Sequence, residues 1–217
     1  MSSRSPRHVV PPETRRFTRL LQGVNRVFVR GYHALDVLSP PRLPRQGAAI
    51  LICNHTSGLD PHLLQTPCHR LITWMMAREY YEIPGIKTIL RKVGMIPVAR
   101  NGRDMAAMRE AMRTLHNGKV LGVFPEGRIE TSRELLPFQT GVAMMAIKTG
   151  VPVFPAYLDG TQRGLEMLPA FFQPQRASVR FGDEVMFDRS NNDRDALDSA
   201  TAAMRTAIES LRQVRES

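Results

Sequence analysis

The sequence contains no apolar stretch long enough to cross a membrane. Spanning takes about 20 consecutive apolar residues, and the longest uninterrupted runs, such as Ala48 to Cys53, are far shorter. No spanning helix is expected. The N-terminus also lacks the apolar core of a secretion signal. Arg4 and Arg7 sit among serines with few acids, as in organellar transit peptides, but the plainer expectation is a cytoplasmic protein. Cysteine is scarce: Cys53 and Cys68 are the only two, and both lie in or beside apolar segments. That favours buried thiols in a reducing compartment over a disulfide framework. No Gly-x-Ser-x-Gly element exists to lift a serine above a sheet, which argues against a hydrolase with Ser57 as nucleophile. There is no internal repeat and no low-complexity tract.

What is present suits one folded domain. At 217 residues, 42% hydrophobic and 23% charged, the chain can build one sizeable core. Its net charge of +10 is unevenly placed: residues 1–46 hold nine Arg against two acids, and residues 183–217 hold five Arg against eight acids. Such a basic excess meets nucleic acid, an anionic membrane or a phosphorylated substrate. No RNA- or DNA-binding signature accompanies it, so nucleic acid is not expected as a partner. Residues 1–12 read as a flexible arm. From Phe17, the positions Phe17, Leu20, Leu21, Val24, Val27, Phe28, Tyr32 and Leu35 keep helical spacing, with Arg15, Arg16, Arg19, Arg26 and Arg30 elsewhere on the surface. This basic amphipathic helix either faces an anionic membrane or packs on its own domain. Pro40, Pro41, Pro44 and Gly47 then form a linker that no helix crosses.

Beyond the linker, short apolar runs alternate with helical patterns. Ala48–Cys53, Leu71–Met76, Met95–Val98, Val120–Phe124 and Val151–Tyr157 read as strands; Asp104–Asn117 and Gly141–Lys148 read as helices closed by Gly118 and Gly150. The expected fold class is α/β, with a largely parallel central sheet flanked by helices and an N-terminal amphipathic segment. Ala177–Phe181 is expected as an edge strand and Asp195–Val214 as a closing helix.

Two polar clusters follow directly on apolar strands, where open α/β folds place ligands. The first is Asn54-His55-Thr56-Ser57-Gly58-Leu59-Asp60-Pro61. With His55 on the turn and Asp60 in the first turn of the next helix, the carboxylate can hold one imidazole nitrogen while the other takes a proton from a hydroxyl. The second cluster is Phe124-Pro125-Glu126-Gly127-Arg128, and between the two a short strand hands Arg100 to the surface. A zinc site drawn from Cys53, His55, His62, Cys68 and His69 matches no standard ligand spacing. His8, His33, His62, His69 and His116 are read as surface or satisfied histidines.

Taken together these clusters resemble the lysophosphatidate/glycerol-phosphate acyltransferase family. Its histidine-x4-aspartate motif is similar to His55–Asp60, its arginine-ended second motif to Ile96–Arg100, its phenylalanine-proline-glutamate-glycine motif to Phe124–Arg128, and its apolar fourth motif to Val151–Pro155. The likeness covers about Ile50 to Tyr157. The chain departs at the third motif, where many members carry a threonine between glycine and arginine. The resemblance implies an acyltransferase domain over residues 47–217, behind a basic arm, amphipathic helix and linker over residues 1–46. It implies His55 as general base, Asp60 as its support, and Arg100, Glu126, Gly127 and Arg128 at the acceptor's phosphate. The implied partners are a lysophospholipid acceptor, an acyl thioester donor (acyl-CoA or acyl carrier protein, as co-substrate) and an anionic membrane surface on the cytoplasmic side. No cofactor and no metal are implied. A nonenzymatic lipid-binding module would also explain the basic N-terminus, yet it leaves His55, Asp60 and the Glu126–Arg128 turn unexplained.

Overall fold

The structure is a computed structural model that describes residues 12–99, 104–191 and 193–213. Its first helix, α1 (Pro12–Tyr32), begins ahead of the first apolar position of the expected helix. Proline is tolerated in a first turn because its missing N–H needs no partner there. The helix stops at Tyr32 instead of running to Leu35: Ala34 takes a left-handed φ of 41°, and Leu35 opens a short strand, β1 (Leu35–Val37). After the proline-rich stretch comes β2 (Ala49–Cys53), buried at all five positions, as a strand covered on both faces must be. There follow α2 (Asp60–Gln65), β3 (Ile72–Ala77), α3 (Arg78–Tyr81), α4 (Ile86–Val93), β4 (Ile96–Val98), α5 (Met105–His116), β5 (Val120–Val123), α6 (Gly141–Thr149), β6 (Val153–Asp159), α7 (Met167–Phe171), β7 (Ala177–Phe181) and α8 (Arg194–Gln213).

The seven strands form one sheet in the order β1-β7-β6-β2-β5-β3-β4. Every neighbouring pair is parallel except β6 with β7. The strand Ala177–Phe181 is therefore not at the edge, as expected, but one place in. β1 adds beside it, and Ser39 prolongs the pairing, its Oγ accepting from the Phe181 N–H at 2.6 Å and donating to the Phe181 carbonyl at 2.8 Å. Three residues that include Asp36 carry no period that would mark them as a strand.

Alternation along each strand sends side chains to opposite faces. Leu51, Cys53, Trp74, Phe154 and Leu158 pack on one face with Val29 of α1 and Leu63 and Leu64 of α2. Ile50, Ile52, Leu121, Val123 and Tyr157 pack on the other with Ala111 of α5, Met145 of α6 and Met204 of α8. The first face answers the question left open for α1. Val29 is fully buried, Phe28 stacks on Phe171 with ring centroids 4.2 Å apart, and the Asn25 amide donates to the His62 carbonyl at 3.0 Å and to Thr66 Oγ1 at 2.9 Å. The helix is docked, and its apolar positions are divided: Phe28 faces the domain, whereas Leu20, Val24 and Val27 remain exposed by 65%, 59% and 75%.

Candidate active site

β2 lies between β5 and β6, and all three run parallel, so their C-terminal ends open onto one edge of the sheet. The polar cluster after β2 sits there. Asn54 fastens it to β6 through a two-way clamp, its amide donating to the Leu158 carbonyl at 2.9 Å and its Oδ1 accepting from the Leu158 N–H at 2.8 Å. Next, Thr56 and Gly58 dock the loop that follows β6. Gly164 N–H donates to the Thr56 carbonyl and Gly58 N–H to the Leu165 carbonyl, both at 2.8 Å. A Cβ on Gly58 would lie 2.2 Å from the backbone nitrogen of Met167, so only glycine permits this approach.

His55 and Asp60 meet as expected. Asp60 Oδ2 lies 2.9 Å from His55 Nδ1 and also accepts the N–H groups of Thr56 at 2.7 Å and Ser57 at 2.9 Å. Because a carboxylate only accepts, it selects the tautomer with the proton on Nδ1 and leaves Nε2 as a bare acceptor. The Asp60 side chain is wholly buried, while that of His55 is 16% exposed. A buried carboxylate thus braces an imidazole that still reaches solvent. Its other oxygen, Oδ1, is buried without a partner among the described residues.

The cluster after β5 packs against the same loop. Glu126 is buried, and it does not present its carboxylate to the outside: Oε1 accepts from the His55 N–H at 2.9 Å and Oε2 from the Leu136 N–H at 2.8 Å. Burial raises its carboxyl above the usual carboxylate range, opposed by these two backbone donors. Of the residues expected at a phosphate, Glu126 is therefore placed as a strut beneath His55. Gly127, at φ 71°, turns the chain outward, and Arg128 is exposed with no ion-pair partner among the described residues. Arg100 lies outside the described residues. The flanks of that segment are anchored, since Asp104 accepts the Ala99 N–H at 3.0 Å and caps α5 through Ala106 and Ala107. Those backbone donors, Ala107 foremost, hold its carboxyl below the usual range.

Sequence reasoning missed Glu130 and Arg163. The Glu130 N–H donates to the His55 carbonyl at 2.7 Å, and its buried carboxylate pairs with Arg163 from the loop after β6. Other nucleophiles near His55 are shut away. Ser57 is fully buried and its Oγ accepts from the Leu59 N–H at 3.2 Å. Burial pushes the Cys53 thiol well up, and that of Cys68 to about 12, so neither is a thiolate near neutrality. Among the described residues, no group of three or more His, Cys, Asp or Glu is placed to hold a metal ion.

Residues 34–159 match the family model described as Acyltransferase. The chain is 27% identical over 127 residues to the 1-acyl-sn-glycerol-3-phosphate acyltransferase of Borreliella burgdorferi, covering 58% of this chain and 51% of that protein. It is 25% identical over 134 residues to the enzyme of the same name from Bacillus subtilis, covering 61% and 66%. An uncharacterized protein of Mycobacterium tuberculosis is 28% identical over 158 residues, covering 66% and 42%. The aligned region thus spans about half the length of these relatives. In fold, the chain is similar to the crystal structure of the 1-acyl-sn-glycerophosphate (LPA) acyltransferase PlsC from Thermotoga maritima, with a TM-score of 0.73 over 96% of this chain and 86% of that one, at 21% identity.

Proposed function

Because the chain belongs to the acyltransferase family, we propose that it moves a fatty acyl group from an acyl thioester to a hydroxyl of a phosphate-bearing lysolipid. The first candidate acceptor is 1-acyl-glycerol-3-phosphate, giving phosphatidate, and the donor is acyl-CoA or acyl carrier protein. The observation that carries this reading is the His55 Nδ1 contact with Asp60 Oδ2 at 2.9 Å, which leaves Nε2 basic at the open edge of the sheet. Nε2 takes the acceptor's hydroxyl proton as the oxygen attacks the thioester carbonyl carbon. The tetrahedral intermediate collapses, the C–S bond breaks, and the departing thiolate takes the proton back from the imidazolium. Asp60 supports the transient positive charge. Transfer is direct, in keeping with the burial of Ser57 and Cys53. The reading calls for no metal or cofactor.

Arg128 and Arg100 are assigned to the acceptor phosphate, which suits the planar guanidinium fork. Arg128→Ala should raise the acceptor's KM about tenfold or more, the size of a lost charge-assisted contact, and leave the donor's KM within about twofold. Loss of affinity for the donor alone would reassign the arginine to the donor's phosphates or an acidic carrier surface. Incubation with a panel of lysolipids and both donor types, read by mass spectrometry, tests the substrate class. Equal conversion of acceptors with and without a phosphate would overturn it.

We further assign the exposed side of α1 to an anionic membrane surface. No described helix is long and apolar enough to cross a membrane, but Leu20, Val24 and Val27 of α1 are exposed, as are Leu168 and Phe172 at α7, and Tyr32 ties the two helices by donating to the Phe172 carbonyl at 3.0 Å. Exposed Arg16, Arg19, Arg26 and Arg30 border them, each worth about 1 kcal/mol near an anionic surface. Truncating α1 would uncover Val29, so point variants are the cleaner test. Val24→Asp with Phe172→Asp should lower co-sedimentation with anionic phospholipid vesicles about tenfold or more without changing thermal melting, and wild-type binding should weaken with salt. Unchanged binding by the double variant would end the assignment.

A further inference from the structure

The imidazole of His55 has a second contact besides Asp60. The Phe124 ring lies almost parallel to it, with centroids 3.9 Å apart and planes 11° from each other. Behind Phe124 lies the Trp74 indole, at 4.9 Å and 12°. His55 follows β2, Phe124 follows β5 and Trp74 lies within β3, three neighbouring strands of the sheet, and the three rings form one stack. Gly122 makes room for it: Gly122 pairs with Trp74 in register, and a Cβ there would lie 2.4 Å from Trp74 Cε3. Trp74 is 3% exposed.

A single hydrogen bond at Nδ1 leaves an imidazole free to rock about that bond, carrying Nε2 away from the acceptor oxygen. An aromatic face held from behind removes that motion. Resting on the reading of His55 as general base, we propose that Phe124, backed by Trp74, is a positioning residue. It fixes the plane of the His55 imidazole and favours the imidazolium formed when the proton is taken. A cation within about 6 Å of a ring centroid is attracted by its π-face, so the support acts on the charged state and not only on its placement. Among the described residues, the ionisable groups that touch His55 or its immediate partners are Asp60 at the start of α2, Glu126 and Glu130 after β5, and Arg163 paired with Glu130; Cys53 of β2 lies two residues before it. All of them persist when only position 124 is changed.

Phe124→Leu keeps apolar bulk but has no π-face. Its kcat should fall about tenfold, with both KM values within about twofold. Phe124→Tyr, which retains the face, should recover kcat to within about threefold of wild type. In the unaltered protein, the carbon-bound imidazole protons of His55 should resonate upfield from the ring current of Phe124, a readout that needs no variant. A folded Phe124→Leu protein with wild-type kcat would overturn the proposal, as would a His55 resonance without the upfield shift. His55→Ala in the same assay separates the two levels: if it stays active, the base reading fails; if it is dead while Phe124→Leu is normal, only the stack's role fails.

Discussion

A His55→Ala protein should melt as the wild type does and turn over ~10²–10⁴-fold more slowly, the contribution of a positioned general base. The fold is preserved because alanine keeps the two backbone contacts of residue 55, its N–H to Glu126 and its carbonyl to the Glu130 N–H, and because Asp60 Oδ2, on losing the imidazole, still accepts the Thr56 and Ser57 N–H groups. The loss is catalytic because the side chain is the group that reaches the open edge. Turnover should be measured with acceptor and donor saturating, alongside thermal melting and vesicle binding. Activity within about threefold of wild type would remove His55 as base. Lost transfer with retained vesicle binding would separate an enzyme from a passive lipid-binding module.

At Asp60 two substitutions should diverge. Asparagine with its oxygen in the place of Oδ2 still accepts from His55 Nδ1 and from the N–H groups of Thr56 and Ser57, but it carries no charge to steady an imidazolium. Turnover should fall about 10–10³-fold, less than on deletion of the base, with a modest loss of stability. Alanine strands the Thr56 and Ser57 N–H groups in a buried setting, at about 1–3 kcal/mol each, so Asp60→Ala should also melt several degrees lower. An asparagine variant with full turnover would show that the Asp60 charge has no part in the chemistry. An alanine variant that melts like wild type would show that its brace on the loop is dispensable.

The parts of this architecture legible in the sequence were those where burial imposes a period. Ala49–Cys53 and Val120–Val123 are buried at every position, and such runs stand out from their polar flanks. His55 and Asp60 were legible because a contact between an imidazole and a carboxylate in one loop needs only a short spacing at a strand's end. What could not be read is which distant backbone group a polar side chain meets. The Glu126 contact with the His55 N–H spans 71 residues, and the Asn54 clamp on Leu158 spans 104. A glutamate between Pro125 and Gly127, directly after an apolar strand, does carry a hint, since a carboxylate placed there must find donors. Burial periods mark Trp74 and Phe124 as core and strand-end residues; only the sheet order brings their rings over the imidazole.

The pairing of β1 with β7 also bears on how the chain folds as it is made. Ser39 and Phe181 are 142 residues apart, and at about 5–20 residues per second β1 leaves the ribosome roughly 7–28 s before its partner strand exists. Through that interval β1 has no partner strand, and Phe28 lacks the Phe171 ring on which it stacks. The long sequence separation of this contact makes its closure entropically costly and slow.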